Sequence, residues 1–256
     1  MLTKRHGAIL NLLQGRGALS PGELAAELGV SAETVRRDVR ALVEAGQAVR
    51  VHGAVGLAGQ IGEAPFDRRM RENAAAKRAI ARAMADRIAD GETLMLDTGT
   101  TTSFLARELL GHRRLTVVTN SSDIARTLAT VNGNRVFMAG GELRGDSGAA
   151  LGASALEFIR GFAVRHAVIS AGAVDEAGVM DFDLQEAEFA RAALLCGELG
   201  WVVSDATKFA RRGVVRVAGW AGLHGLVTDA APPPAVAAAL VAAGVSVMIA
   251  AQDVMG

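Results

Sequence analysis

The sequence is poor in the features that mark secreted, membrane-embedded or metal-binding proteins. Its one cysteine is Cys196, so neither an internal disulfide nor a cysteine-based metal site can form. The five histidines lack the spacing of metal ligands. No apolar run approaches the roughly 20 residues of a membrane-spanning helix, and the first residues lack the cationic and then apolar layout of a signal peptide. We therefore expect a cytoplasmic chain that uses no metal or other cofactor and contacts no membrane.

The chain also lacks a net charge, since 27 basic residues balance 27 acidic ones. The balance is uneven, because residues 1–60 hold seven Lys and Arg against five Asp and Glu. A weakly basic first segment is compatible with DNA binding, although it is poor evidence by itself. The length of 256 residues suits one small and one larger domain. We predict a first domain over residues 1–57, a linker over 58–73 and a second domain over 74–256.

Residues 30–40 have the pattern of a helix that presents arginines outward. Ser31 is predicted to cap this helix, because its hydroxyl can accept from the N–H groups of the first turn. Val35 and Val39 lie one turn apart and mark the buried face. Glu33 is close enough to pair with Arg37 on the opposite face. The arginines of that outward face are Arg36, Arg37 and Arg40.

The surrounding residues favour a DNA-reading helix over a merely solvated face. Ser20 to Glu23 has the form of a capping box with proline at the first helical position, and its helix ends at Gly29. Another helix precedes it, which completes a helix-turn-helix unit. Residues 47–55 alternate β-branched and polar side chains, as a short hairpin wing does. The residues that we expect to contact DNA are Ser31, Thr34, Arg36, Arg37, Arg40, Arg50 and His52.

The rest of the chain alternates short apolar runs with helical patterns, which is typical of an α/β fold with a parallel, doubly wound sheet. A helix is predicted from about Asn73 to Ile88, before the first strand. Open sheets of this kind bind ligands just beyond the carboxyl ends of their strands. The predicted strands are Thr93–Leu96, Leu115–Thr119, Arg135–Met138, His166–Ser170, Trp201–Ser204, Gly225–Thr228 and Ser246–Ala250.

One turn at such a strand end, from Asp97 to Thr102, favours binding of an anion such as phosphate. Its glycine lets the backbone approach closely, its hydroxyls donate, and the next helix has a partially positive N-terminus. Plain helix capping by the threonines is the alternative. Lys77 and Lys208 can complete the site, and either can equally be an ordinary surface lysine. The candidate ligand-binding residues are Lys77, Asp97, Gly99, Thr100, Thr101, Thr102, Asn120, Gly141, Gly172, Asp205 and Lys208.

Two groups of residues resemble the DeoR family of bacterial transcription regulators. They are residues 30–38, Leu42, Gly46, Arg50 and His52-Gly53 in the first domain, and residues 77–81, 97–101, 119–120, 140–141 and 205–209 in the second. The resemblance implies an N-terminal winged helix-turn-helix domain and a larger doubly wound α/β effector domain that resembles ribose-5-phosphate isomerase. It also implies a repressor that binds a double-stranded DNA operator and a small phosphorylated metabolite. We expect it to act as a homo-oligomer, either a dimer or a tetramer.

A looser match concerns the effector. Residues 139–144, 181–183 and 228–234 are similar to a subgroup of the family that responds to glycerol 3-phosphate, which implies that this compound lowers operator affinity. The alternative is a sugar-phosphate isomerase-like enzyme with an attached DNA-binding domain. Asp175 and Glu176 are the acids left in the corresponding loop, but Ser170 stands where the isomerase motif begins with an acid. Since that chemistry needs a carboxylate base, we expect no catalytic residue.

Overall fold

The computed structural model describes residues 4–16, 19–51, 54–57 and 63–251. The first domain consists of α1 (Lys4–Arg16), α2 (Pro21–Leu28), α3 (Ala32–Glu44), β1 (Ala48–Val51) and β2 (Ala54–Leu57). Its core is a cluster of fully buried apolar side chains from all three helices, among them Ile9, Leu24 and Val35. The two strands form an antiparallel hairpin, and Leu19 exchanges two backbone hydrogen bonds with Val55 of β2. The predicted winged helix-turn-helix fold is confirmed.

Local chemistry sets the boundaries of α2 and α3. The Ser20 hydroxyl accepts from the Glu23 N–H at 3.2 Å, and the Glu23 carboxylate accepts from the Ser20 N–H at 2.7 Å, which completes the capping box. Gly29 ends α2 with a φ of 63°, in the left-handed region that glycine adopts without strain. Ser31 then caps α3 by accepting from the Thr34 N–H at 3.2 Å. The angle between the two helices is therefore fixed by a turn of very few residues.

The remaining described residues alternate helices and strands. In chain order they form α4 (Phe66–Arg71), α5 (Ala74–Ala85), β3 (Thr93–Leu96), α6 (Thr100–Glu108), β4 (Thr116–Thr119), α7 (Ser122–Leu128), β5 (Arg135–Met138), α8 (Ala153–Arg160), β6 (Val164–Ser170), β7 (Ala173–Asp175), β8 (Gly178–Asp181), α9 (Leu184–Cys196), β9 (Gly197–Val203), β10 (Val215–Ala218), β11 (Gly225–Thr228), α10 (Pro234–Ala242) and β12 (Ser246–Ile249). Two short 3-10 helices, Leu109–Gly111 and Ala206–Ala210, lie between them. In the described part of the chain, no helix has both the length and the apolar character needed to cross a membrane.

Every strand predicted for the second domain belongs to one seven-stranded parallel sheet. Its strand order is β12-β11-β9-β6-β3-β4-β5. From β3 the chain winds outward through β4 and β5, and it then returns to β6 and winds the other way. The direction of winding therefore changes between β3 and β6, and ligands of doubly wound sheets bind at such a switch point. Asp97 follows β3 and Ser170 ends β6, so both lie there.

Several predicted boundaries need correction. The helix expected from Asn73 to Ile88 covers Ala74–Ala85, because Asn73 has a left-handed φ of 53° that breaks the helical backbone before it. The strand expected to start at Trp201 starts at Gly197, directly after α9. A glycine is required there, since a Cβ on Gly197 would lie 2.5 Å from the Cβ of Ala167 on the neighbouring strand.

The sequence interpretation missed a second, antiparallel sheet with the order β10-β8-β7. Its strands are only three or four residues long, so no alternation extends far enough to predict them. Asp175 and Glu176, the acids of the isomerase-like loop, lie at the turn between β7 and β8, where the Asp175 carboxylate accepts from the Ala177 N–H at 2.8 Å. The hairpin carries Asp181 to the switch point of the large sheet.

Candidate DNA-binding and effector sites

The recognition helix α3 presents its predicted arginines to solvent. Arg36, Arg37 and Arg40 are exposed, whereas Val35 and Val39 are fully buried. Ser31 lies at the start of this face, with its hydroxyl 2.9 Å from that of Thr34. Glu33 pairs with Arg36 at 3.2 Å, so the predicted pair of Glu33 with Arg37 is wrong. Arg37 and Arg40 have no hydrogen bond or ion pair to the described residues, which leaves both guanidinium groups available.

A buried acid on the opposite face of α3 was missed by the sequence interpretation. Asp38 is 6% exposed and accepts hydrogen bonds from the Arg5 guanidinium of α1. His6 Nε2 lies 3.5 Å from the same carboxylate. The hydrogen bond from Arg5 lowers the pKa of Asp38, against the opposing effect of burial. Asp38 thus connects α3 to α1. The one signal in the sequence is that Asp38 does not fall on the arginine-bearing face of the predicted helix.

The hairpin wing lies beside the recognition helix. Arg50 on β1 is exposed, and its guanidinium is 3.4 Å from the backbone carbonyl of Arg36. A cation is thus held next to the arginines of α3. His52, which was also expected to contact DNA, lies outside the described residues.

The turn predicted to bind phosphate is closely packed. Thr100, Thr101 and Thr102 are all buried, and the Thr102 hydroxyl donates towards the carbonyls of Asp97 and Gly99, at 2.9 and 3.0 Å. Gly99 allows this packing, because a Cβ there would lie 2.0 Å from the Ser170 hydroxyl. These bonds hold the turn closed, but they do not cap α6, which has no side-chain capping hydrogen bond. Binding of an anion by these threonines stays a prediction.

Three carboxyl groups meet at the switch point next to this turn. Asp97 accepts from the Ser170 N–H at 3.0 Å, and burial raises the pKa of Asp97 to about 7. Asp181 and Glu186 line the same small cavity of about 10 Å³, and burial together with nearby carboxylates raises the pKa of both. Asn120 also lines it, accepting from the Thr98 hydroxyl at 2.9 Å and donating to the Ala150 carbonyl at 3.1 Å. The cluster therefore carries protons at neutral pH and can donate as well as accept hydrogen bonds.

A cationic cavity of about 300 Å³ lies beside the end of β9. Three of the predicted residues, Lys77, Asp205 and Lys208, line it together. Asp205 caps the 3-10 helix Ala206–Ala210, which aims Lys208 into the cavity, and Asn73 reaches Asp205 from across the cavity at 3.4 Å. The other residues that line the cavity are Ala64, Arg68, Arg69, Glu72, Thr207 and Arg211.

Lys77 is buried under the segment that precedes it. Its ammonium donates to the carbonyls of Arg69 and Glu72, at 2.5 and 2.9 Å. Burial lowers its pKa to about 8, although Asp205 opposes this shift. Lys77 therefore holds the end of α4 in place at the edge of the cavity.

The cations of the cavity surround a carboxylate from the predicted linker. Glu63 accepts from Lys208 at 2.5 Å, from Arg211 at 3.2 Å and also from Arg69. Burial alone would raise the pKa of Glu63, but Lys208, Arg69 and Arg211 outweigh it and lower that pKa to about 2. The sequence interpretation missed Glu63, Arg69 and Arg211. The one available signal was the arginine-rich composition of residues 65–73.

The two predicted glycines lie in different surroundings. Gly172 is buried, and a Cβ there would come within 3.2 Å of Asp181 Cα, so the glycine lets the β7–β8 hairpin approach the sheet. Gly141 is exposed in the loop after β5, with a φ of 138°. From the same loop, Arg144 reaches Asp183 at 3.0 Å and Glu186 at 3.2 Å. Arg144, rather than Gly141, connects this loop to the carboxyl cluster.

An N-terminal helix-turn-helix domain followed by an α/β sheet domain is the architecture of a transcriptional regulator with a sensor domain. The DeoR-like helix-turn-helix domain matches residues 5–60, and the DeoR C terminal sensor domain matches residues 72–230. The chain belongs to the DeoR family of transcriptional repressors. It is therefore a DNA-binding regulator and not an enzyme.

Two curated relatives are similar over nearly the whole chain. The HTH-type transcriptional repressor CsqR of Escherichia coli (strain K12) is 35% identical over 97% of this chain and 96% of its own. The glycerol-3-phosphate regulon repressor of the same organism is 34% identical over 91% of this chain and 93% of its own. Among solved structures, ribose 5 phosphate isomerase A from Neisseria gonorrhoeae matches with a TM-score of 0.38 at 15% identity, covering 54% of this chain and 53% of the isomerase.

Proposed function

We propose that this repressor binds a small phosphorylated effector in the cationic cavity and that the bound effector lowers its affinity for the operator. The observation that carries this proposal is the convergence of Lys208, Arg211 and Arg69 on one anionic group at the carboxyl end of the sheet. Charge-assisted hydrogen bonds from Arg and Lys are the strong contacts that phosphate recognition uses. A phosphate ester carries more negative charge and more acceptor oxygens than a carboxylate, and it would offer both to the same cations.

The neighbouring carboxyl cluster suits the rest of a phosphorylated polyol or sugar. Partly protonated acids both donate and accept hydrogen bonds, as hydroxyl groups do. Asp181 and Glu186 also line a second cavity, of about 410 Å³, together with Glu63 and Arg69. The phosphate and hydroxyl positions would thus be adjacent. Glycerol 3-phosphate is the effector that we propose, because a relative at 34% identity is named for its regulon.

The operator would be bound through α3 and the wing. Arg36, Arg37 and Arg40 would contact phosphates and base edges, and Ser31 and Thr34 would donate at the start of the helix. Two copies of α3, placed by a homodimer or homotetramer, would read half-sites one or more helical turns apart. Effector binding would favour a domain arrangement that no longer fits these half-sites, with a coupling of typically ~1–3 kcal/mol.

The test is a titration of the protein on labelled DNA from its own upstream region, at fixed salt, with glycerol 3-phosphate as effector. We expect Lys208→Gln to weaken effector binding about 10- to 100-fold, because a charged hydrogen bond is lost, and to leave binding to the operator intact. Arg212→Gln is the matched control, since it removes one positive charge from just after the same 3-10 helix but lies outside the cavity. Equal effects of the two substitutions would refute the assignment of Lys208.

The identity of the effector is tested in the same assay with fructose 1-phosphate. Preferential release of the DNA by glycerol 3-phosphate supports the proposal. Tighter binding of the sugar phosphate would overturn the choice of effector and retain the phosphate site.

A further inference from the structure

We propose that Glu63 is an internal ligand of the phosphate site, and that a phosphorylated effector must displace its carboxylate in order to bind. The inference rests on the proposed function and adds a competitor that belongs to the chain itself. The Glu63 side chain is only 13% exposed, and its two oxygens contact Lys208, Arg211 and Arg69. An incoming anion cannot reach these cations while the carboxylate stays among them.

The charge of the cluster favours such an exchange. Glu63 carries a single negative charge against the three cations that it contacts, and even with Asp205 at the same cavity the cations are in excess. The remaining cations of the cavity are already engaged, because Lys77 binds two carbonyls and Arg68 pairs with Glu72 at 2.6 Å. A phosphate ester brings up to two charges and three acceptor oxygens, and it can therefore satisfy three donors better than a carboxylate can.

Glu63 belongs to a segment that contacts both domains. It directly precedes Ala64, whose carbonyl accepts from Arg69 at 2.9 Å, and α4 begins two residues later. From α4, Arg68 donates to the carbonyl of Gly46, which lies just beyond the end of the recognition helix. Loss of the Glu63 contacts would loosen the start of this segment. The effector and the bound Glu63 carboxylate would then exclude each other. Effector binding would in this way be coupled to the DNA-binding domain through the segment that follows Glu63.

The experiment measures binding of inorganic phosphate and of glycerol 3-phosphate to the full chain by calorimetry. Glu63→Gln removes the competing charge and keeps the size of the side chain. Since a neutral glutamine competes for the three cations much less strongly than the carboxylate does, we expect both ligands to bind about 10- to 100-fold more tightly to this variant. Asp67→Asn is the matched control, because it removes the same charge from the same segment at an exposed position outside the cavity, and its affinity should equal that of the wild type.

Hydrogen exchange of the wild-type chain supplies a second measurement that needs no variant. Saturating glycerol 3-phosphate should speed amide exchange across residues 64–72, because displacement of Glu63 releases their anchor. The inference is overturned if Glu63→Gln binds phosphate no more tightly than the wild type, or if exchange in this segment is unchanged. A loss of binding in Lys208→Gln, with no gain in Glu63→Gln, would retain the phosphate site and overturn the internal ligand alone. Absence of phosphate binding to both the wild type and Glu63→Gln would overturn both.

Discussion

Replacement of Arg37 by alanine removes a guanidinium group from the middle of the exposed face of α3. Arg37 makes no hydrogen bond or ion pair with the described residues, in contrast to Arg36, which pairs with Glu33. Alanine also favours a helix at least as well as arginine does. The substitution should therefore leave folding unchanged, so any loss of operator affinity measures contacts to DNA.

The expected loss is that of one base or phosphate contact. A bidentate contact to a base contributes ~1–3 kcal/mol, which corresponds to a roughly 5- to 150-fold weaker complex. A base contact would also relax the sequence preference at one operator position, whereas a phosphate contact would weaken all sequences alike and reduce the salt dependence by about one ion. Binding to operator variants at several salt concentrations separates the two cases. Arg126→Ala is the matched control, because it removes an exposed helical arginine from α7 of the sensor domain.

Unchanged operator affinity and unchanged sequence preference in a folded Arg37→Ala variant would remove Arg37 from the interface. The same result for Arg40→Ala would refute the assignment of α3 as the recognition helix. A comparable loss in Arg126→Ala would show instead that net charge, and not the position on α3, governs binding.

Two further predictions concern buried charge. Asp38→Asn should speed amide exchange in α1 and α3 roughly tenfold, and weaken operator binding, because the carboxylate that ties the two helices together is lost. The unfolding free energy of the sensor domain should fall by about 1–2 kcal/mol between pH 6.5 and 8, because Asp97 and Glu186 hold protons in the folded state that the unfolded state has already released. Urea unfolding followed by the fluorescence of Trp201 and Trp220 measures this change.

Each of these predictions has its own control. Glu33→Gln removes a surface carboxylate from the same helix as Asp38 and should leave exchange unchanged, so equal effects of both would contradict the role of Asp38. Glu186→Gln should reduce the change in unfolding free energy between pH 6.5 and 8. An unaltered change would show that Glu186 does not titrate in this window. The window starts at pH 6.5 because protonation of buried His166, whose pKa burial lowers, reduces stability at lower pH. It ends at 8, because Lys77, whose pKa burial lowers to about 8, is half deprotonated there and its titration raises stability as the pH rises further.

Local sequence determines much of the fold. The capping box at Ser20, the left-handed glycine at position 29 and the cap at Ser31 each act over three or four residues, and together they determine the helix-turn-helix. Strands β3, β4 and β11 are short, largely apolar runs whose residues are almost all buried, as strands covered on both faces must be. For these elements the sequence by itself decides which residues are buried and where the carboxyl ends of the strands fall.

Only the tertiary structure decided which charged groups meet. Lys208 and Glu63 are 145 positions apart, and Asp38 and Arg5 are 33 apart, so no periodic pattern connects them. The short strands of the β10-β8-β7 sheet likewise depend on partners brought together by the larger sheet. A residue's neighbours along the chain determine its backbone conformation, whereas the charge that it finally faces depends on how whole elements pack. The helix-turn-helix could therefore be predicted from the sequence, and the carboxylate among the sensor-domain cations could not.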